Sequence, residues 1–123
     1  MRYLTDRKRA VGKGAAGTGT EHHWYMQVSA VGLALIVPTF IIIAGRALGS
    51  DHASVLETFS HPIPAILTAL VLVLGLQHFR KGAQIMIEDY WHGTTKKAAL
   101  IFTTVFSYGL TATGLFALAK IAL

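Results

Sequence analysis

The residues best equipped for chemistry fall in one stretch, Gly75 to Tyr90, GLQHFRKGAQIMIEDY. It begins inside an apolar run and ends in a polar, aromatic cluster. Its histidine, His78, lies about sixteen residues into a segment that reads as membrane-spanning, and an ionisable residue at that depth marks a functional site by default. At about 100° per residue, Val71, Gly75, His78, Gly82, Ile85 and Asp89 fall within roughly 40° of one line on a helix. A histidine between two glycines allows two readings. In one, glycine leaves room for a flat, wide group and the imidazole serves as an axial ligand to haem iron. In the other, the histidine hydrogen-bonds a neighbouring helix and the glycines serve helix–helix contact.

The second candidate cluster is Glu88, Asp89, Tyr90, Trp91 and His92. Asp89 and Tyr90 lie about 17 Å along the helix axis from His78. A tyrosine hydroxyl can hydrogen-bond a quinone carbonyl, and a neighbouring carboxylate can orient it or relay protons. The plainer reading is an interfacial aromatic belt followed by a helix-ending loop.

Three apolar spans must position these residues. The composition is 53% hydrophobic and only 14% charged, with a mean hydropathy of +0.51. Such a chain is too apolar for an ordinary soluble domain and reads as a small all-α membrane protein. It has no cysteine, which excludes disulfides, iron–sulfur ligation and thiolate chemistry within the chain. The spacing predicts a basic tail over residues 1–20 and a three-helix membrane anchor over 21–123, with spans about 24–46, 62–87 and 98–120. The tail, rich in Gly and Thr, reads as a loose surface segment. A signal peptide is a poor match, because the apolar run that follows is too long.

Trp24 to Gly45 contains no formal charge and is long enough for a hydrocarbon core of roughly 30 Å. Pro38 should bend it. Arg46 to His61 reads as a polar connection, with Pro62 and Pro64 suited to the first turn of the next helix. Arg80 and Lys81 are placed to snorkel towards an interface. Glu88 to Lys97 reads as a second polar connection, and Ala98 to Ala119 as a third span. Three spans put the termini on opposite sides of the bilayer. The tail and the Arg80–Lys97 region carry nine of the eleven Lys and Arg; the other side has Arg46 and Lys120. This asymmetry predicts a cytoplasmic N-terminus and an outer C-terminus, and it makes nucleic acid a poor candidate partner for the basic tail.

A haem with two histidine ligands needs them on opposite faces of one ring. His61 is about 26 Å from His78 along the same predicted helix. His52 lies in the outer connection, and His22, His23 and His92 are expected at the cytoplasmic interface. A haem on His78 would therefore take its second ligand from another chain, and three helices are few to enclose a macrocycle.

The pattern H-x(3)-G-x(6)-D-Y, formed by His78, Gly82, Asp89 and Tyr90, resembles the hydrophobic membrane anchor (the D chain) of succinate dehydrogenase. The opening MRYLTDRKRA and the stretch GTEHHWYMQVSA resemble alphaproteobacterial members. The resemblance covers nearly the whole chain. It implies three transmembrane helices forming half of a heterodimeric haem-binding helix bundle in the bacterial inner membrane, with a periplasmic C-terminus. It also implies haem b shared with a second membrane anchor subunit, His78 supplying one axial ligand to the iron and Gly82 packing at the haem. Further implied partners are an iron–sulfur subunit, a flavoprotein subunit and the lipid bilayer. Tyr90 matches the tyrosine that binds ubiquinone, the substrate, and Asp89 matches its acidic neighbour. The chain would be a subunit of the enzyme, not catalytic alone. Some relatives carry an arginine near a haem propionate where this chain has Gln27; Lys81, His22 and His23 are candidate replacements. A related fumarate reductase anchor, and a non-enzymatic small membrane assembly subunit, are the competing readings.

Overall fold

A computed structural model describes residues 3–12, 14 and 19–123. Arg2 and Lys13 of the basic tail lie outside the described residues. Within the described residues the chain is helical without strands, and three helices are long and apolar enough to cross a membrane.

The tail carries a feature that its composition did not suggest. A short helix, α1 (Asp6–Val11), starts where the Thr5 hydroxyl accepts the Lys8 N–H at 3.2 Å. Asp6 in its first turn, and Lys8 and Arg9 in its last, suit the helix dipole. Gly12, at φ +56°, ends it.

The first span is α2 (Gly19–Ala47), which continues through Pro38. Proline there cannot donate to the carbonyl four residues back. One residue on, the Thr39 hydroxyl bonds the Leu35 carbonyl at 3.0 Å, in keeping with the local hydroxyl bonding seen in membrane helices.

The connection after α2 is more structured than its polarity suggests. Gly49, at φ +87°, turns the chain, and α3 (His52–Ser60) follows. Val55, Thr58 and Phe59 are half-buried at helical spacing, so α3 lays one stripe against the ends of the long helices. Asp51, the residue just before it, accepts the Ser54 hydroxyl, and that bond holds the carboxyl below the usual carboxylate range.

Pro62 begins α4 (Pro62–Tyr90), as expected of proline in a first helical turn. The Trp91 N–H closes α4 on the Ile87 carbonyl at 3.0 Å. Only Trp91 and His92 separate α4 from α5 (Gly93–Ala122), and Gly93 at φ +62° makes the reversal. The polar connection expected over Glu88 to Lys97 is therefore mostly helix. Its charges are absorbed along the two helix ends: Glu88 accepts Gln84 Nε2 at 2.8 Å, and Lys96 Nζ donates to the Glu88 carbonyl at 3.1 Å.

The three long helices form a layer with α4 in the middle. α4 packs on α2 along one side and on α5 along the other, while α2 and α5 do not meet. Small residues set both seams. A Cβ on Gly75 would stand 3.9 Å from Leu33 of α2, and one on Gly32 would stand 3.8 Å from Leu74 of α4. Across the other seam, a Cβ on Gly114 of α5 would lie 3.0 Å from Leu72 of α4. Very little is enclosed: only Ser29, Ala47, Ala65, Ile87, Ser107 and Leu118 are buried among the described residues. Both faces of the layer therefore present apolar side chains outward, as lipid or further helices require.

Candidate functional site

The stripe that runs through His78 faces α2. Gly75 approaches Leu33, His78 meets Ser29, and a Cβ on Gly82 would lie 3.6 Å from the Met26 methyl. The antiparallel register thus pairs 75 with 33, 78 with 29 and 82 with 26. Gly82, expected to leave room beside a macrocycle, leaves that room next to Met26.

Ser29 is 4% exposed, within the charge-free stretch Trp24–Gly45 of α2. Its hydroxyl oxygen lies 2.7 Å from the Tyr25 carbonyl, 3.2 Å from the Met26 carbonyl and 2.8 Å from His78 Nδ1. A carbonyl can only accept, so an oxygen at 2.7 Å from it must donate, and the hydroxyl has a single proton. The Ser29 oxygen is then an acceptor towards the ring, and the bond to His78 is served by Nδ1–H. In the neutral imidazole that leaves the lone pair on Nε2. Nε2 has no hydrogen-bond partner among the described residues. The donor set fits one axial nitrogen for a haem iron. Among the described residues no cluster of three or more His, Cys, Asp or Glu could hold a metal by itself.

The other histidines fall where the spacing placed them. His61 is the residue immediately before α4, about 26 Å along the axis from His78. His52 begins α3, and His92 is in the two-residue link before α5.

One to three turns beyond His78, the same seam opens into a cleft of about 880 Å³. α2 contributes Glu21, His22, His23, Tyr25 and Met26; α4 contributes Lys81, Gln84, Ile85 and Glu88. Lys81 Nζ lies 5.9 Å from the Tyr25 ring centroid, within cation–π range. His22 Nε2 is buried without a hydrogen-bond partner among the described residues. The two adjacent cations, Arg80 and Lys81, turn to different helices. Lys81 turns to α2, whereas Arg80 turns to α5, where its guanidinium lies 5.4 Å from the Tyr108 ring centroid, while its Nε donates to Gln77 Oε1 on α4 itself at 2.9 Å. Gln27 stands two residues from Ser29, about 200° around α2. It lines an outward groove with Trp24, Val28 and Val31, away from the His78 seam.

Asp89 and Tyr90 form the last turn of α4, and both are exposed. Tyr90 is 78% exposed and its hydroxyl has no partner within the described residues. The helix is unbroken from His78, so their separation is fixed at about 17 Å along one axis. Sequence spacing thus found His78, Gly82, Asp89 and Tyr90 on one helix. It gave no role to Ser29, whose contact spans 49 positions; the available signal was a small hydroxyl residue within an uncharged span.

Comparison with known proteins bears on the chain as a whole. The family model for succinate dehydrogenase/fumarate reductase transmembrane subunits matches residues 1–116. A protein of Paracoccus denitrificans named succinate dehydrogenase hydrophobic membrane anchor subunit is 47% identical over 123 residues, covering 100% of this chain and 95% of the relative. No solved structure is significantly similar. By its sequence match and its three apolar helices alike, the chain belongs to the family of succinate dehydrogenase/fumarate reductase transmembrane subunits.

Proposed function

We propose that the chain is a membrane anchor of succinate:ubiquinone oxidoreductase in the bacterial inner membrane, holding haem b through His78 and ubiquinone through Tyr90 and Asp89. The observation that carries this reading is the Ser29–His78 bond. It fixes the ring in the middle of an apolar seam and leaves Nε2 with its lone pair. Bound there, haem b supplies one-electron redox capacity.

The second axial ligand comes from a partner anchor subunit, because every other histidine of this chain is at a different level. The open faces of the α2–α4–α5 layer give that partner its docking area. Lys81, in the cleft next to the seam, offers a positive charge that Gln27 cannot, and His22 and His23 line the same cleft. Gly82 contributes by keeping α2 close to α4 at the turn beyond the ligand. At the end of α4, the Tyr90 phenol donates to a quinone carbonyl and the Asp89 carboxyl orients or relays the proton that reduction requires. Nine of eleven Lys and Arg cluster with that end of α4 and with the tail, which puts it on the cytoplasmic side, facing the iron–sulfur and flavoprotein subunits.

The relative's name favours succinate oxidation over fumarate reduction, although the family description covers both. Its being a subunit of a dehydrogenase also weighs against a free-standing assembly factor. The test is His78→Ala in the purified membrane complex. The expected result is loss of haem or a shift to high spin. An unchanged low-spin spectrum would refute the reading.

A further inference from the structure

We propose that Ser29 is a positioning residue for His78: the Ser29 hydroxyl, anchored on the Tyr25 carbonyl, holds the imidazole as its Nδ1–H tautomer and makes Nε2 the ligating nitrogen. The inference deepens the haem reading above and rests on it. Three distances carry it. The Oγ–carbonyl separation of 2.7 Å commits the only hydroxyl proton, and the Met26 carbonyl at 3.2 Å competes for the same proton from the same side. The Oγ–Nδ1 separation of 2.8 Å must then be bridged by the ring's own proton.

Burial makes the arrangement specific. Ser29 is 4% exposed, so no bulk water replaces the acceptor if the hydroxyl is removed. The flanking close approaches, Leu33 against Gly75 and Met26 against Gly82, hold the two helices at a distance where a serine reaches the ring. A partner that accepts from Nδ1–H fixes the orientation of a ligating histidine and raises its basicity. A more basic ligand favours the oxidised metal. Removing the acceptor should therefore raise the haem reduction potential.

The experiment uses the assembled complex in its native membrane lipids, with Ser29→Ala, Ser29→Thr and His78→Ala compared with wild type. Readouts are haem per complex, the low-spin electron paramagnetic resonance signal and a redox titration of the haem band. Ser29→Ala should keep a low-spin haem but shift the reduced-to-oxidised ratio at fixed potential upward by roughly twofold to tenfold, the worth of one net hydrogen bond. Ser29→Thr keeps the hydroxyl and should titrate as wild type. Should Ser29→Ala fail to assemble, Ser29→Cys, a weak acceptor of similar bulk, should shift the ratio in the same direction by less. A wild-type titration in the assembled alanine or cysteine variant, with His78→Ala still disrupting the haem, would overturn the role of Ser29 alone. An unchanged haem in His78→Ala would overturn both readings.

Discussion

Replacing Tyr90 with phenylalanine tests the quinone site with little interference from folding. The phenol is 78% exposed at the end of α4 and makes no hydrogen bond within the described residues. Removing one oxygen therefore leaves no buried group unsatisfied, and the anchor's stability should change by no more than the roughly 0.5 kcal/mol typical of surface positions. If the phenol donates to a quinone carbonyl, the loss appears at the reaction. A neutral hydrogen bond is worth about 0.5–1.5 kcal/mol net, and one to a charged group about 1.5–3 kcal/mol. At about 1.4 kcal/mol per factor of ten, these give roughly twofold to tenfold for the first and up to about a hundredfold as negative charge develops on the reduced oxygen. The assay is quinone reductase activity of the membrane complex across limiting and saturating ubiquinone. Succinate oxidation by an artificial dye and haem content serve as controls. Both controls should stay at the wild-type level while kcat/KM for ubiquinone falls. Wild-type ubiquinone kinetics throughout would return Tyr90 to an interfacial belt residue.

The other predictions concern orientation, packing and the start of α3. A C-terminal reporter active only in the cytoplasm should stay silent; strong activity would reverse the proposed topology and move Tyr90 to the far side. Gly114→Leu should destabilise the α4–α5 pair by about 1–3 kcal/mol, because the added atoms meet Leu72 where a Cβ already stands 3.0 Å away, and thermal inactivation of the detergent-solubilised complex would report it. Gly109→Ala should be neutral in the same assay, since nothing lies within 4 Å of its Cβ position. Asp51, whose folded-state value is lowered by the Ser54 hydroxyl, should favour the α3 start at neutral pH and lose that contribution as pH falls through the lowered value. Amide protection in α3, measured relative to the intrinsic exchange rate at each pH, that rises instead of falling on acidification would contradict it.

The spans were legible because uninterrupted apolarity over some twenty residues has one cheap solution in a bilayer, a helix. The same logic fails at the connections. Glu88 to Lys97 looks like a loop by composition, yet Asp89 and Tyr90 continue α4 because helix ends tolerate charge and interfacial aromatic residues equally well. His52–Ser60 was hidden for the same reason: its pattern of Val55, Thr58 and Phe59 is too short to stand out, and it exists by leaning on the long helices. At the site, periodicity aligned His78 with Gly75 and Gly82 but could not say what they face. That answer needed the α2–α4 register, which is set by Met26, Ser29, Gly32 and Leu33, residues that look ordinary in isolation.

Helix α4 ties the two proposed sites together mechanically. Of the three long helices it is the one that packs on both of the others, so it has the least freedom to tilt or rotate. Asp89 stands eleven residues after His78, about 20° away around the axis, whereas Tyr90 is about 120° away. The carboxyl therefore follows the histidine's stripe, while the phenol points to a different side of the helix. With α2 on the histidine's seam and α5 on the opposite flank, the phenol is reachable by a molecule entering beside the layer without displacing the contacts that orient His78. A residue change that twists α4 should move both sites at once; one confined to the last turn, such as Tyr90→Phe, should leave the Ser29–His78 pair untouched. That separation is what allows haem content to serve as an independent control in the quinone assay.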